Sequence, residues 1–198
     1  MDATVHFPCA SLNGNQYILV VYNYTSNTIL AEAIPKLEAA TICATYKQIF
    51  NSLKKKGFKP CFNVFNNQES ASIKKVLDEE DSNEQFVEPF NHRVNAAEKE
   101  IHIFKDHFIA GLCTTYPGFT TQLGDYMMPQ EKDTLNLIQT SKSNPDISNY
   151  EELKGKFYFD RWIIEPAETS VVVYDSSEDS ASWASRGTDA CYLLSANG

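Results

Sequence analysis

Three side chains in one stretch carry most of the chemistry this sequence offers. Glu98, His102 and Lys105 are separated by four and then three residues, a spacing that lines up a carboxylate, an imidazole and an ammonium along one ridge of an α-helix. A carboxylate there is a hard oxygen ligand of the kind that holds a divalent cation. The helix is legible from its other side. Ala97, Ile101, Phe104, Phe108 and Leu112 recur at steps of four, three, four and four, which predicts a single buried stripe rather than a strand. The plainer reading of the ridge is a solvated polar face, the default for such a helix.

The elements that must position this ridge precede it. Ala3 to Phe7 reads as a strand with Asp2 at its start. After the turn signal Asn13-Gly14-Asn15, the run Tyr17 to Tyr22 is β-branched or aromatic apart from Leu19, as in a strand buried on both faces. Thr28 to Ile34, entered from the turn Thr25-Ser26-Asn27 and closed by Pro35, is the return arm of a hairpin. Leu37 to Lys56 keeps helical spacing, and Lys54-Lys55-Lys56-Gly57 suits its C-terminus: the lysines meet the negative end of the dipole and glycine permits a left-handed cap. With Lys59, those lysines also form a candidate phosphate contact or nuclear address, although a run of three is short for either.

Cys61 to Phe65 reads as a short strand that presents Asn66-Asn67 at its C-terminal end, where ligands gather in parallel α/β sheets. Ser70 to Leu77 is a short helix. The acidic run Asp78 to Asp81 with Glu84 is a solvated loop that repels phosphates, and Gln85 to Pro89 a further short strand. Past Leu112, a helix covering the core is predicted over Met127 to Ile138, with Pro129 in its first turn. Ser141 to Pro145 is a loop, Val171 to Tyr174 a strand, and Cys191 to Leu194 its partner.

The order Asp2-bearing strand, hairpin, helix, strand ending at Asn66, and a last helix opened by Asn95-Ala96-Ala97-Glu98 resembles the catalytic core of retrotransposon integrases, especially copia-type elements. The resemblance implies an α/β, ribonuclease-H-like mixed sheet flanked by helices over residues 1–140; beyond it, the residues themselves read as a linker over 141–162 and, with their change of character from about Ile163, a partial small β appendage over 163–198. The resemblance further implies a DDE-type site in which Asp2, Asn66 and Glu98 hold two Mg²⁺ or Mn²⁺ ions, with His102 and Lys105 on the DNA. Two ions suit phosphoryl transfer because one activates the attacking oxygen while the other stabilises the leaving one. DNA as partner, a homo-oligomer and a nuclear location follow from the same likeness.

The departures from the pattern have a direction. Asn66 stands where the family has its second Asp, and its amide is a weaker ligand for Mg²⁺ than a carboxylate. Leu123-Gly124-Asp125 and Ala190-Cys191-Tyr192 replace Trp-containing stretches, and a lost buried Trp can cost about 3–5 kcal/mol. With the start at Met1-Asp2, they imply a degenerate or truncated copy with impaired strand transfer. A second reading is a non-enzymatic protein-interaction module on an inert fold of the same kind.

Composition limits these readings. At 198 residues and 42% hydrophobic the chain can bury one α/β core. A net charge of −9 makes any nucleic-acid contact local. Cys9, Cys43, Cys61, Cys113 and Cys191 form no Cys-x-x-Cys pair and combine with no histidine at zinc-finger spacing, which suggests a reduced, intracellular chain without a zinc module. Tyr17 to Tyr22, the longest apolar run, is too short to span a bilayer, and no leader pattern is present.

Overall fold

The structure, a computed structural model, describes residues 2–3, 6–7, 9–65, 71–79, 82–86, 96–174 and 187–193. Its centre is an antiparallel sheet of β1 (Asp2–Ala3), β2 (Tyr17–Asn23) and β3 (Thr28–Ile34), in that order. β2 and β3 pair over seven residues, from Tyr17 opposite Ile34 to Asn23 opposite Thr28. The hairpin closes through Asn27, which takes φ 64°, a left-handed conformation that asparagine tolerates. Alternation then separates two faces. Ile18, Val20 and Tyr22 enter one cluster, and Leu19 enters another on the opposite side.

Helices cover both faces. α1 (Ala39–Lys55) lays Ile49 and Leu53 over Leu19 and Ile34. It ends as its sequence predicts. Gly57, at φ 85°, donates to Lys54 C=O (3.0 Å), and Phe58 N–H reaches back to Leu53 C=O (3.1 Å), the two bonds of a Schellman cap. α3 (Ala96–Thr114) and α4 (Gly124–Ile138) supply the cover on the other face, with Phe104, Phe108, Met127, Met128 and Leu135 in the cluster of Val20 and Ile29. A parallel pair, β4 (Phe62–Phe65) with β5 (Asn83–Phe86), is linked by α2 (Ala71–Glu79) and packs Phe65, Ile73 and Leu77 against Tyr46 and Phe50 of α1.

The architecture is therefore mixed α/β with helices and small sheets. Among the described residues, the β1–β3 sheet and the β4–β5 pair are not joined into the single mixed sheet that the sequence suggested. Several boundaries also differ. The first strand is described over Asp2–Ala3; of the predicted Ala3 to Phe7, residues 4–5 lie outside the described residues and 6–7 are not strand, although Phe7 N–H donates to Gln16 C=O (2.7 Å). β5 starts at Asn83 because Ser82 anchors it, bonding Pro60 C=O (2.8 Å) and accepting from Asn63 (2.7 Å). Residues 87–89 lie outside the described residues.

α4 begins at Gly124, three residues before the predicted start, so Pro129 is inside the helix rather than in its first turn. The early start has a cause. Asp125 Oδ2 accepts from Ser11 Oγ (2.7 Å), Asn13 Nδ2 (3.0 Å) and Asn15 Nδ2 (3.0 Å), tying the first turn of α4 to the loop before β2. The stretch 141–162, read as a linker, contains α5 (Asn149–Lys154), capped by Ser148 and burying Leu153 beside Ile34. The C-terminal hairpin pairs β6 (Ser170–Tyr174) with β7 (Gly187–Cys191), so the second strand lies upstream of the predicted Cys191 to Leu194. Tyr192 leaves the ladder and its hydroxyl donates to Gln130 Oε1 of α4 (2.8 Å). No helix among the described residues is long and apolar enough to cross a membrane.

Candidate functional site: the outer ridge of α3

The ridge exists, and it is graded. Ala97, Ile101, Phe104 and Phe108 are buried, which fixes the rotation of α3 about its axis and leaves His102 and Lys105 exposed one and two turns beyond Glu98. Glu98 is half-buried in the first turn, and its Oε2 is shut off from solvent. A carboxylate in that position gains from the positive end of the helix dipole. The acid is thus held near the protein interior, while the imidazole and the ammonium face outward.

The other two predicted ligands stand differently. Asp2 belongs to β1, opposite Val20, and β1 packs against α3. Asn66 follows β4 directly but lies outside the described residues. Among the described residues, no three His, Cys, Asp or Glu side chains gather closely enough to hold a metal ion.

Two buried acids on this side of the sheet were not singled out from the sequence as site residues. Glu100 is only 6% exposed. Burial pushes its carboxyl above the usual 4.5, against the opposing pull of Lys99 and Lys142. A signal was available, since residue 100 is three beyond Ala97 and four before Phe104 and so falls on the apolar stripe. Glu131 of α4 is likewise buried, with Oε2 3.2 Å from His107 Nε2 of α3. That contact is close enough for an ion pair, yet the ring nitrogen has no hydrogen-bond partner, so it is a proximity of charge rather than a directed bond. Gly111 makes room for it. A Cβ there would come within 2.4 Å of Glu131 Oε1.

Comparison with known proteins bears on the fold. The chain is similar in structure to a chain of the simian T-cell lymphotropic virus intasome, solved by cryo-EM in complex with the PP2A regulatory subunit B56 gamma. The TM-score is 0.59 at 12% identity, over 96% of this chain and 65% of that one. No family model matches the sequence, and no curated protein is similar to it. The class defined is thus a mixed α/β fold shared with a retroviral intasome chain. This chain spans about two-thirds of that chain's length, or 65%.

Proposed function

We propose that the chain is an integrase-core-like domain of ribonuclease-H-like type, related to copia-type retrotransposon integrases, which binds nucleic acid but carries out DNA strand transfer weakly or not at all. The observation supporting this most is the intasome-like fold across 96% of the chain, combined with Glu98 set half-buried in the first turn of α3. In this reading Asp2, Asn66 and Glu98 form a DDE-type site whose donors are all hard oxygens, the type that suits Mg²⁺ or Mn²⁺. With Asn66 in place of a carboxylate, the set loses one negative charge. When bound, two such ions would stabilise charge on the attacking and leaving oxygens. His102 and Lys105, exposed on the same helix, meet the phosphates of element or target DNA. A homo-oligomer and a nuclear location belong to the same proposal.

Strand transfer of short duplexes in Mn²⁺ tests it, using the chain as it stands and Asn66→Asp. Activity confined to Asn66→Asp supports the reading, and full activity in the unaltered chain overturns the claim of impairment. DNA binding at low salt, where phosphate contacts are strongest, is the companion measurement. Lys105→Ala should weaken it about uniformly across sequences.

A second reading, a non-enzymatic interaction module, is favoured by the net charge of −9 and by the exposed apolar side chains of β6. If neither protein transfers strands or binds DNA, this reading replaces the first.

A further inference from the structure

The lysines that close α1 meet a second run of cations. Lys154, Lys156 and Arg161 fall within residues 154–163, beside a single acid, Asp160, in a chain whose net charge is −9. The two runs share one surface. Leu153 of α5 packs with Leu19, Ile34 and Leu53, on the sheet face opposite α3. Partial burial, and then the nearby charges of Lys154 and Lys132, hold the Lys56 ammonium below its usual 10.5 against the pull of Asp133. Carboxylates answer only part of this charge. Asp133 accepts from Lys154 through both oxygens (2.8 Å each), and Glu32 accepts from Lys132 (2.7 Å). Among the described residues, no carboxylate lies within ion-pair distance of Lys55, Lys56, Lys156 or Arg161.

The second run also carries aromatic rings, and they are held in place. Phe157 sets its ring edge-on to Tyr150 of α5 (5.2 Å between centroids) and to Phe159 (4.7 Å). Tyr158 C=O accepts from the N–H groups of Arg161 (3.0 Å) and Trp162 (3.1 Å), closing a turn, and Ile163 C=O accepts from Tyr192 Oη (2.9 Å). The guanidinium of Arg161 lies 5.1 Å from the centre of the Tyr158 ring, and the Lys156 ammonium 6.0 Å. Phe159 is nevertheless 71% exposed and Trp162 41%. Both rings therefore offer open surface at fixed positions, beside cations that lack a carboxylate.

Cations interleaved with exposed rings match a polyanion whose flat apolar groups are also free. In a single nucleic-acid strand every phosphate is followed by a base with an open π-face, and aromatic stacking combined with backbone charge is how such strands are held. A duplex stacks its bases on one another and offers phosphate alone. A lipid surface asks for apolar side chains on one face and charges on the opposite one, whereas here Lys156 and Arg161 lie against the Tyr158 ring and Asp160 follows Phe159. We propose that this strip binds single-stranded nucleic acid, with bases stacked on Phe159 and Trp162 and phosphates on Lys56, Lys156 and Arg161. It springs from α5, across the central sheet from the α3 ridge, and does not rest on the reading of Asp2, Asn66 and Glu98.

The test follows the anisotropy of a fluorescein-labelled oligo(dT) of about twelve nucleotides on titration with the full chain, across a salt series, and repeats it with a duplex of equal length. Saturable binding of the single strand is the expected result. Trp162→Ala and Phe159→Ala should each weaken it about 10-fold, the loss of one stacked base, while leaving its salt slope and the duplex titration unchanged. Lys156→Gln and Arg161→Gln should each make the log–log salt slope shallower by about 0.7, the loss of one phosphate contact. All four positions are exposed, and an unchanged urea midpoint shows that each variant is folded. Lys105→Ala, expected to weaken duplex binding, should leave single-strand binding as it is. Absence of saturable single-strand binding, no loss with either ring variant, or an equal loss on the duplex overturns the proposal. Sedimentation of the chain with phosphatidylserine vesicles, without oligonucleotide binding, would assign the strip to a lipid surface and overturn it as well.

Discussion

Two hairpins in this molecule are written in nearly the same alphabet and have opposite fates. β2 contains Ile18-Leu19-Val20-Val21 and β6 contains Val171-Val172-Val173, and each pairs antiparallel with its hairpin partner in an unbroken register. Yet Val20 is 0% exposed whereas Val172 is 70% exposed. The strands themselves do not account for the difference. β2 and β3 lie between α1 on one face and α3 with α4 on the other, while the β6–β7 hairpin is moored to the core through the Tyr192 hydroxyl, which donates to Gln130 of α4. A β-branched run therefore specifies a strand, and burial depends on whether amphipathic helices have a stripe to lay over it.

The comparison breaks most severely if the cover is removed. Phe104, at 0% exposure, is the side chain through which α3 fills the cluster shared with Val20 and Ile29. Phe104→Ala should cost about 3–5 kcal/mol, read as a lower urea midpoint with little change in slope. Asn136→Ala comes next. That side chain satisfies both main-chain groups of Ile29, closing an edge that no strand among the described residues covers. Leaving those groups buried without a partner should cost about 2–3 kcal/mol, again by urea denaturation.

Much of this division was legible before any coordinates. The stripe from Ala97 to Phe108, the β2–β3 hairpin with its turn at Asn27, and the Gly57 cap all follow from spacing and local chemistry. What was not legible depends on contacts far apart in sequence. The early start of α4 rests on Ser11, Asn13 and Asn15 meeting Asp125, and α5 is held in place by Leu153 packing beside Ile34. Of the candidate site, the sequence placed Glu98, His102 and Lys105 correctly on one ridge. It did not foresee that this ridge is recessed at one end and open at the other, because that grading comes from the elements packed around the helix start.

Glu100 sharpens the comparison, since it puts a carboxyl into the cover itself. Burial raises it above 4.5, so the folded chain holds that proton more tightly than the unfolded chain does. Its stabilising contribution is complete below about pH 4.5 and is lost as pH rises through the elevated value. Glu100→Gln removes this dependence. Thermal melts should show the variant gaining on the parent as pH rises above about 4.5. A gap that stays constant with pH would mean that Glu100 ionises as freely in the folded state as in the unfolded one.

The smallest effect should come from the uncovered hairpin. Val172→Thr keeps the β-branch at a position 70% exposed, so the hydroxyl stays in water and stability should change by no more than about 0.5 kcal/mol. The same exchange at Val20 sets a hydroxyl among Ile18, Ile29 and Phe104, where an unmet polar group costs about 1–3 kcal/mol. Measured together by urea denaturation, the two substitutions isolate burial from strand propensity, because chemistry and local geometry are matched. Equal losses at both sites would mean that β6 is covered in solution, and the contrast between the hairpins would then reflect a missing partner rather than a difference in packing.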